Sequence, residues 1–411
     1  MTSIEQSRSP RGPYLRLGVL AAALFVVGTN AFVVAGVLPQ IAATLHVNTA
    51  QVGYTITVYG IVVAIVSPVI ATIFAKVPRA ALMAVGLAVI TVGVAVTAAS
   101  TTIGSFTVGR LVAALGGAAL VPAATAVAPR LLPPERRGRA LTAVGLGFTL
   151  ATALGAPAGT ALAAVTSWRV PLVAVTIVSA VLAVLVAVSL RRAPTDAPLS
   201  ARARLGVLRE RRVAAALLTT VFLCLSFNIV YFFSSAVSAP VTHGNGSRLA
   251  VLLLLYGIGG IVGTLLAGPI TDRFGSGAIF TAAITVEVVV FVLLTLAGNS
   301  FAEAAVLFAF WGLAGFGAGI PLQHRLVSIN PATAGIALSW YNTALYVAIA
   351  LAPILGGLVV DAHAQALPLI GDGAAVLALV VFTFTRDGRP NTHTATLNRP
   401  ATQTTPPGGQ K

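Results

Sequence analysis

Gly268-Pro269-Ile270-Thr271-Asp272-Arg273-Phe274-Gly275 stands between two long apolar runs, and its reading decides the fold. An aspartate and an arginine side by side, bracketed by Gly and Pro in a neighbourhood nearly free of charge, predict a tight polar turn joining two membrane helices. A worn copy lies about half the chain earlier, where Ala71-Thr72-Ile73-Phe74-Ala75-Lys76-Val77-Pro78-Arg79 closes another apolar run. Asp272 follows Ala75 by 197 residues. Independently, Ala352-Pro353 repeats Ala156-Pro157 at an offset of 196. Two unrelated landmarks at matching offsets predict a duplicated unit.

Composition places that unit in a membrane. Of 411 residues, 57% are hydrophobic and 9% charged, against about a quarter charged in soluble proteins. The formal charge of +15 does not indicate a nucleic-acid partner, because the basic residues are scattered in short gaps instead of being gathered on one solvated face. Of 25 Lys and Arg, 22 fall in the two tails and alternate loops, Arg169 and Arg248 fall in the other loops, and Arg110 lies inside an apolar run. This asymmetry predicts a multi-pass protein of the cell membrane with both termini cytoplasmic. A single cysteine, Cys224, excludes an internal disulfide, and no metal or cofactor is expected. The first 14 residues read as a cytoplasmic tail and not as a removed signal peptide.

At about 20 apolar residues per span, twelve segments qualify, six on each side of a basic connection over 191–212 that carries seven arginines, two prolines and only Asp196 and Glu210 as acids. The expected fold class is therefore all-α and integral to the membrane, with twelve transmembrane helices in two pseudo-symmetric six-helix bundles. Residues 15–190 form one bundle and 213–385 the other, the linker is held at the anionic inner leaflet, and the Thr/Pro/Gly-rich tail 386–411 is disordered. From Leu17 to Ala75 no Asp, Glu, Lys or Arg occurs. The first break must come from turn chemistry, with Asn48 capping the second helix and Gln51 reaching back. Duplications of this kind are typical of secondary transporters, whose substrate site lies between the repeats near the midplane.

Several stretches resemble the major facilitator superfamily, over about residues 15–385. Gly268-x-x-x-Asp272-Arg273-x-Gly275 is similar to its loop signature, and Phe106-x-x-x-Arg110-x-x-Ala113-Ala114 to its arginine motif in the fourth helix. Gly155-Ala156-Pro157-Ala158-Gly159 is similar to the motif of exporters of the drug/proton antiporter type. Gly28-Thr29-Asn30-Ala31-Phe32-Val33, Thr57-Val58-Tyr59 and Pro321-Leu322-Gln323-His324-Arg325 resemble the arabinose-efflux and chloramphenicol-resistance-like subgroup. The chain departs from these patterns at Ala31, where the subgroup usually has a glutamate, at Ala75 in place of the first loop aspartate, and at Ala114 in place of a glycine. The missing acids bear on proton coupling.

Each candidate residue has a functional and a plainer reading. Arg110 either snorkels to the outer interface or turns into the bundle to hold carbonyls, substrate or a counter-charge, because a central arginine costs about 2.5–3.5 kcal/mol. Gly155, Pro157 and Gly159 make a kinked, closely packing stripe, mechanical in either reading. Asp272 and Arg273 pair with each other in a turn, or, as the resemblance implies, Asp272 latches an inner gate against the start of the fifth helix and Arg136, Arg137 and Arg139. Glu287 reads as the one acid deep in a span, either a coupling residue or a hydrogen-bonded packing residue of the scaffold. His324 and Arg325 fit a solvated helix end. Asn30, Tyr59, Asn228, Tyr231, Tyr256, Trp311, Trp340, Tyr341 and Asn342 fall on helices that the resemblance places around the cavity, and their aromatic rings and amides suit a neutral ligand.

Together these predict an alternating-access transporter, a monomer in the lipid bilayer, that exports a small, largely uncharged drug or metabolite by proton antiport. An uncoupled facilitator or importer is the alternative. A membrane enzyme would require acids, histidines or a nucleophile clustered at one depth, and no such cluster stands in the sequence.

Overall fold

A computed structural model describes residues 11–74, 76–133, 136–191, 201–296 and 300–385, so residues 1–10 of the expected N-terminal tail, the whole expected C-terminal tail, 192–200 of the linker and Ala75 lie outside the described residues. Among these residues every regular element is helical, and twelve helices are long and apolar enough to cross a membrane. The first six are α1 (Pro13–Leu45), α2 (Thr49–Ile73), α3 (Arg79–Ala99), α4 (Ile103–Arg130), α5 (Thr142–Val165) and α6 (Arg169–Ser189). The second six are α7 (Arg211–Phe232), α8 (Gly246–Phe274), α9 (Ser276–Leu296), α10 (Phe301–Ile329), α11 (Pro331–Gly357) and α12 (Val360–Thr383). Helices α1 to α6 pack mainly on one another and α7 to α12 likewise, while α2 against α11 and α5 against α8 form the main seams between the halves.

The charge-free first break forms as its turn chemistry dictates. Asn48 Oδ1 accepts from the Gln51 amide at 2.8 Å, Gln51 Oε1 accepts from the Asn48 amide at 3.0 Å, and His46 supplies the left-handed residue at φ 56°. This capping box satisfies the first-turn donors that a charge would otherwise attract.

The stretch 268–275 corrects its own reading. Residues through Phe274 continue α8, with Pro269 inside the helix, and the turn is reduced to Gly275 at φ 82°. Proline removes one amide from the last turn and a half, where the ladder is ending anyway, so its break is weak. Gly275 takes a conformation that a side chain would resist. Helix α7 stops at Phe232, and the chain reaches α8 through the short turns Ser234–Val237 and Ala239–Thr242.

In α5 the kink expected around Pro157 takes the form of a π-helical turn over Ala151–Gly155 immediately before it. Widening the ladder is a usual accommodation for a residue without an amide hydrogen. The stripe then packs tightly, with Gly155 against Thr29 and Gly159 against Val33 of α1.

The seams are closed at one end only. Along α5 and α8, Gly246 meets Ala164 and Gly257 meets the main chain of Ala153, an antiparallel register that advances eleven residues on each helix. Eleven more residues would bring Gly268 opposite Thr142. Gly268 instead has no atom within 4 Å of where a Cβ would stand, and neither does Gly145, while Leu265 is 64% exposed. On the other seam, Thr57 of α2 donates to the Ala350 carbonyl of α11 at 2.8 Å, and the space beside Gly60 is filled by Ala350. The halves therefore touch near the ends where α2 and α8 begin and separate toward the arginine-rich ends where they finish.

Candidate functional site

Arg110 is fully buried, with 0% of its surface exposed, so its side chain turns into the bundle and does not snorkel outward. It sits on α4 one helix away from α1, and its Nη1 donates to the Asn30 carbonyl at 2.6 Å and to Asn30 Oδ1 at 3.2 Å. The guanidinium carbon lies 4.5 Å from the centre of the Tyr59 ring of α2. A cation over an aromatic face and two charge-assisted hydrogen bonds offset much of the desolvation of an arginine in a bilayer, at about 0.5–2 and 1.5–3 kcal/mol respectively. The compensation is incomplete. Arg110 Nε and Nη2, Asn30 Nδ2, the Tyr59 hydroxyl and the Thr29 hydroxyl are all buried without a partner. Three helices thus present unpaired donors at one depth, the kind of arrangement a bound polar group would complete.

Across the seam, aromatic rings take over. Tyr231 of α7 lies edge-on to Phe32 of α1 at 5.5 Å and beside Tyr256 of α8 at 5.2 Å, and Tyr256 lies 4.3 Å from Trp311 of α10. The Tyr231 hydroxyl and Trp311 Nε1 are buried and unpartnered, as is the Tyr346 hydroxyl of α11. Of the amides, Asn228 is buried and donates to the Cys224 carbonyl at 2.7 Å. Asn342 stands apart, exposed near the open end of α11, and bonds its own helix at Leu338. Trp340 and Tyr341 are likewise engaged locally, by the Arg204 carbonyl and by Gln323.

Glu287 is also fully buried. One carboxylate oxygen accepts from the Ser226 hydroxyl of α7 at 2.8 Å, and the other has no partner. A second acid, less deep in its span, stands near Glu287. Asp372 lies six residues into the apolar run 367–385, both its carboxylate oxygens are buried and unpartnered, and it is within electrostatic reach of Glu287. The glycine beside Asp372 draws α12 in: Gly371 packs against the Ser226 carbonyl and the Phe291 ring, one turn along α9 from Glu287. The signal for this lies in Gly371-Asp372-Gly373, an acid between two glycines in an otherwise apolar run.

The gate residues are spread out. Asp272 and Arg273 are exposed at the open end, and Arg273 lies over its neighbour Phe274 at 5.2 Å. Among the described residues Asp272 forms no ion pair, either with Arg273 or with the start of α5. Arg136 instead donates to the Tyr14 hydroxyl at 3.2 Å, and the Arg137 side chain lies outside the described residues. Beside Arg139, a recess of about 420 Å³ opens between α1 and the start of α5, lined by Tyr14, Gly18 and Ala143 among others. Arg325 is held by Thr385 and the Phe382 ring at the end of α12, and His324 is exposed. No group of His, Cys, Asp and Glu with metal-binding geometry occurs among the described residues.

Comparison with known proteins agrees with this architecture. The chain matches the family model of the Major Facilitator Superfamily over residues 20–353, with a second match over 241–407. It is 28% identical over 346 residues to the uncharacterized MFS-type transporter YbcL of Bacillus subtilis, covering 84% of this chain and 89% of that one. It is also 28% identical over 375 residues to the inner membrane transport protein YdhP of Escherichia coli O157:H7, covering 91% and 96%. Among solved structures, a bacterial homologue of the human lysosomal transporter Spinster, in an inward-facing and unoccupied conformation, shares the fold with a TM-score of 0.69 at 15% identity, over 92% of this chain and 99% of that one. A point mutant of the nucleoside transporter NupG gives 0.68 at 14% identity, over 91% and 100%. Twelve spans in two seamed halves and a family match across most of the chain lead to one conclusion: this protein belongs to the major facilitator superfamily and is a multi-pass membrane transporter.

Proposed function

We propose that the protein exports a small, largely uncharged drug or metabolite by alternating access, with a proton moving the other way. The observation that carries this reading is the chemistry of the seam: Asn30 and Tyr59 beside Arg110, and Tyr231, Trp311 and Tyr346 in the other half, offer unpaired neutral polar groups and ring faces, with no carboxylate among them. Such a lining suits a neutral ligand with hydrogen-bond acceptors and gives an organic cation no carboxylate to pair with, beside a buried arginine that repels it. The acids stand behind it, in Glu287 and Asp372, where a proton can be held out of the ligand's way.

We place the arginine-rich end in the cytoplasm on the positive-inside rule, which makes this conformation inward-facing. Closing the inner end by continuing the α5–α8 register would set Asp272 opposite Gly138, between Arg137 and Arg139. A carboxylate there would face two cations and the N-terminus of the helical stretch Arg137–Leu150 that leads into α5. The latch is thus read as disengaged here and engaged in the outward-facing state.

The alternative, uncoupled facilitation or import, has its own support in Ala31, which leaves α1 without an acid. One experiment separates them. The protein is expressed in an efflux-deficient host and screened against antibiotics, sugars and nucleosides for toxicity and accumulation, and hits are taken into proteoliposomes with an imposed pH gradient. Export predicts lowered accumulation of a neutral compound and substrate-driven proton flux. Transport that equilibrates the compound without moving protons establishes the alternative.

A further inference from the structure

Arg110 is a permanent charge for which the N-terminal half encodes no counter-charge. From Gln6 to Pro134 the sequence contains no Asp or Glu, and from Arg136 to Thr195 none again, so Glu135 is the one acid within that half's six-helix run. Glu135 lies beyond Arg130, where α4 ends. Arg110 stands 20 residues before that end, about 30 Å along the helix at 1.5 Å per residue, which is far outside ion-pair reach. Among the described residues no acid of the other half pairs with it. Burying a charge in this way is unfavourable unless an opposite charge completes it.

The site also has donors in excess. Arg110 spends Nη1 on the Asn30 carbonyl and Oδ1, at 2.6 and 3.2 Å, which leaves the whole Nε–Nη2 edge of the guanidinium unpartnered. A guanidinium only donates, so it fixes Asn30 with Oδ1 inward and makes the amide Nδ2 a second free donor. The Tyr59 ring covers the guanidinium at 4.5 Å, and its hydroxyl is a third. What this inventory lacks is an acceptor that carries negative charge.

We propose that Arg110 holds a small inorganic anion, chloride in the cell, on its Nε–Nη2 edge, and that this exchangeable ion supplies the counter-charge that the chain does not. Two parallel N–H groups make a fork for an anion, and a halide accepts from any direction, so it suits donors that arrive from α1, α2 and α4. The site is enclosed, since none of the Arg110 surface is exposed. Enclosure favours an ion of atomic size over a carboxylate carried on a larger compound. A fixed carboxylate would bind the arginine permanently, whereas an ion that comes and goes leaves its charge available. The proposal rests on the reading of this lining as the ligand's site and deepens it: with the anion seated, the lining is neutral overall, as an uncharged ligand requires.

The test follows thermal unfolding of the full-length protein in detergent as sodium chloride replaces sodium gluconate at constant ionic strength. The wild type should gain roughly 2–4 °C in its unfolding midpoint, saturably. Two variants change the charge of the site by opposite means: Asn30→Asp puts a carboxylate beside Nη1, and Arg110→Gln removes the cation. Both should lose the chloride response. A purely structural role for these side chains would not link two such different changes to the same loss. A wild type indifferent to chloride overturns the proposal, and so does a response that persists in either variant. Arg110→Gln deletes a buried charge and keeps a long polar side chain, so it carries the test alone if Asn30→Asp fails to fold. No transported compound enters the measurement, so the proposal can fail while the export reading stands, and a failed export screen leaves this result untouched.

Discussion

In the N-terminal half the fully buried charge is Arg110, held by Asn30 and Tyr59; in the C-terminal half it is Glu287, held by Ser226 with Asp372 near it. The two halves are built to one plan. Helices α3 and α9 begin 197 residues apart, at Arg79 and Ser276, and end 197 apart, at Ala99 and Leu296. Yet that offset carries Glu287 onto Ile90 and Arg110 onto Leu307. A duplicated scaffold fixes which helices touch and leaves charge free to differ. An arginine keeps its charge through the physiological range, whereas a carboxyl can gain and lose a proton. One half therefore supplies a constant field and the other a variable one. Set side by side they would form a salt bridge and cancel; kept in separate bundles, each stays available.

The sharpest way to break this comparison is Arg110→Ala. Transport should fall to background while membrane-inserted protein persists, because the donors that complete the ligand site vanish along with a costly buried charge. Accumulation assays paired with membrane abundance check it, and full retention of transport would remove Arg110 from the site. Next come Glu287→Gln and Asp372→Asn, which keep shape and remove the proton. Ligand binding should survive while dependence on a pH gradient falls by about tenfold or more, the usual loss when a positioned proton-transfer group is removed being larger still. Unchanged substrate-driven proton flux in both variants would return the acids to a packing role. The smallest effects lie on the seams and should have opposite signs. Thr57→Val removes the hydrogen bond to Ala350, worth about 0.5–1.5 kcal/mol, and should shift the population roughly two- to tenfold toward outward-facing. Asp272→Asn should shift it the other way by about two- to fivefold, the scale of an exposed ion pair. Accessibility of single cysteines on the outer side reads both, and shifts of the same sign would sink the latch.

Much of this architecture is legible in the sequence because the bilayer imposes length and polarity with little ambiguity. Twelve apolar runs could hardly be anything else, and the capping box at Asn48 carries its own chemistry. What is hidden depends on three-dimensional neighbours. Pro269 reads as a break but lies so near the end of α8 that little ladder is lost. Asp372 sits near the start of a run, where sequence alone does not single it out, yet Gly371 lets α12 sit against Ser226 on the side of Glu287. The unpaired donors around Arg110 come from α1, α2 and α4, and no spacing along the chain connects them.

The meeting of Gly257 with the backbone of Ala153 bears on how fast the transporter can switch. Most packed interfaces resist rocking because side chains must leave one set of grooves and drop into another, each change of rotamer adding friction. Here main chain slides against main chain with almost nothing interlocked, so the midpoint of the seam behaves as a bearing. The barrier between conformations then resides at the ends, in the Thr57 hydrogen bond and the Phe32–Tyr231 contact on one side and in the charges around Asp272 on the other.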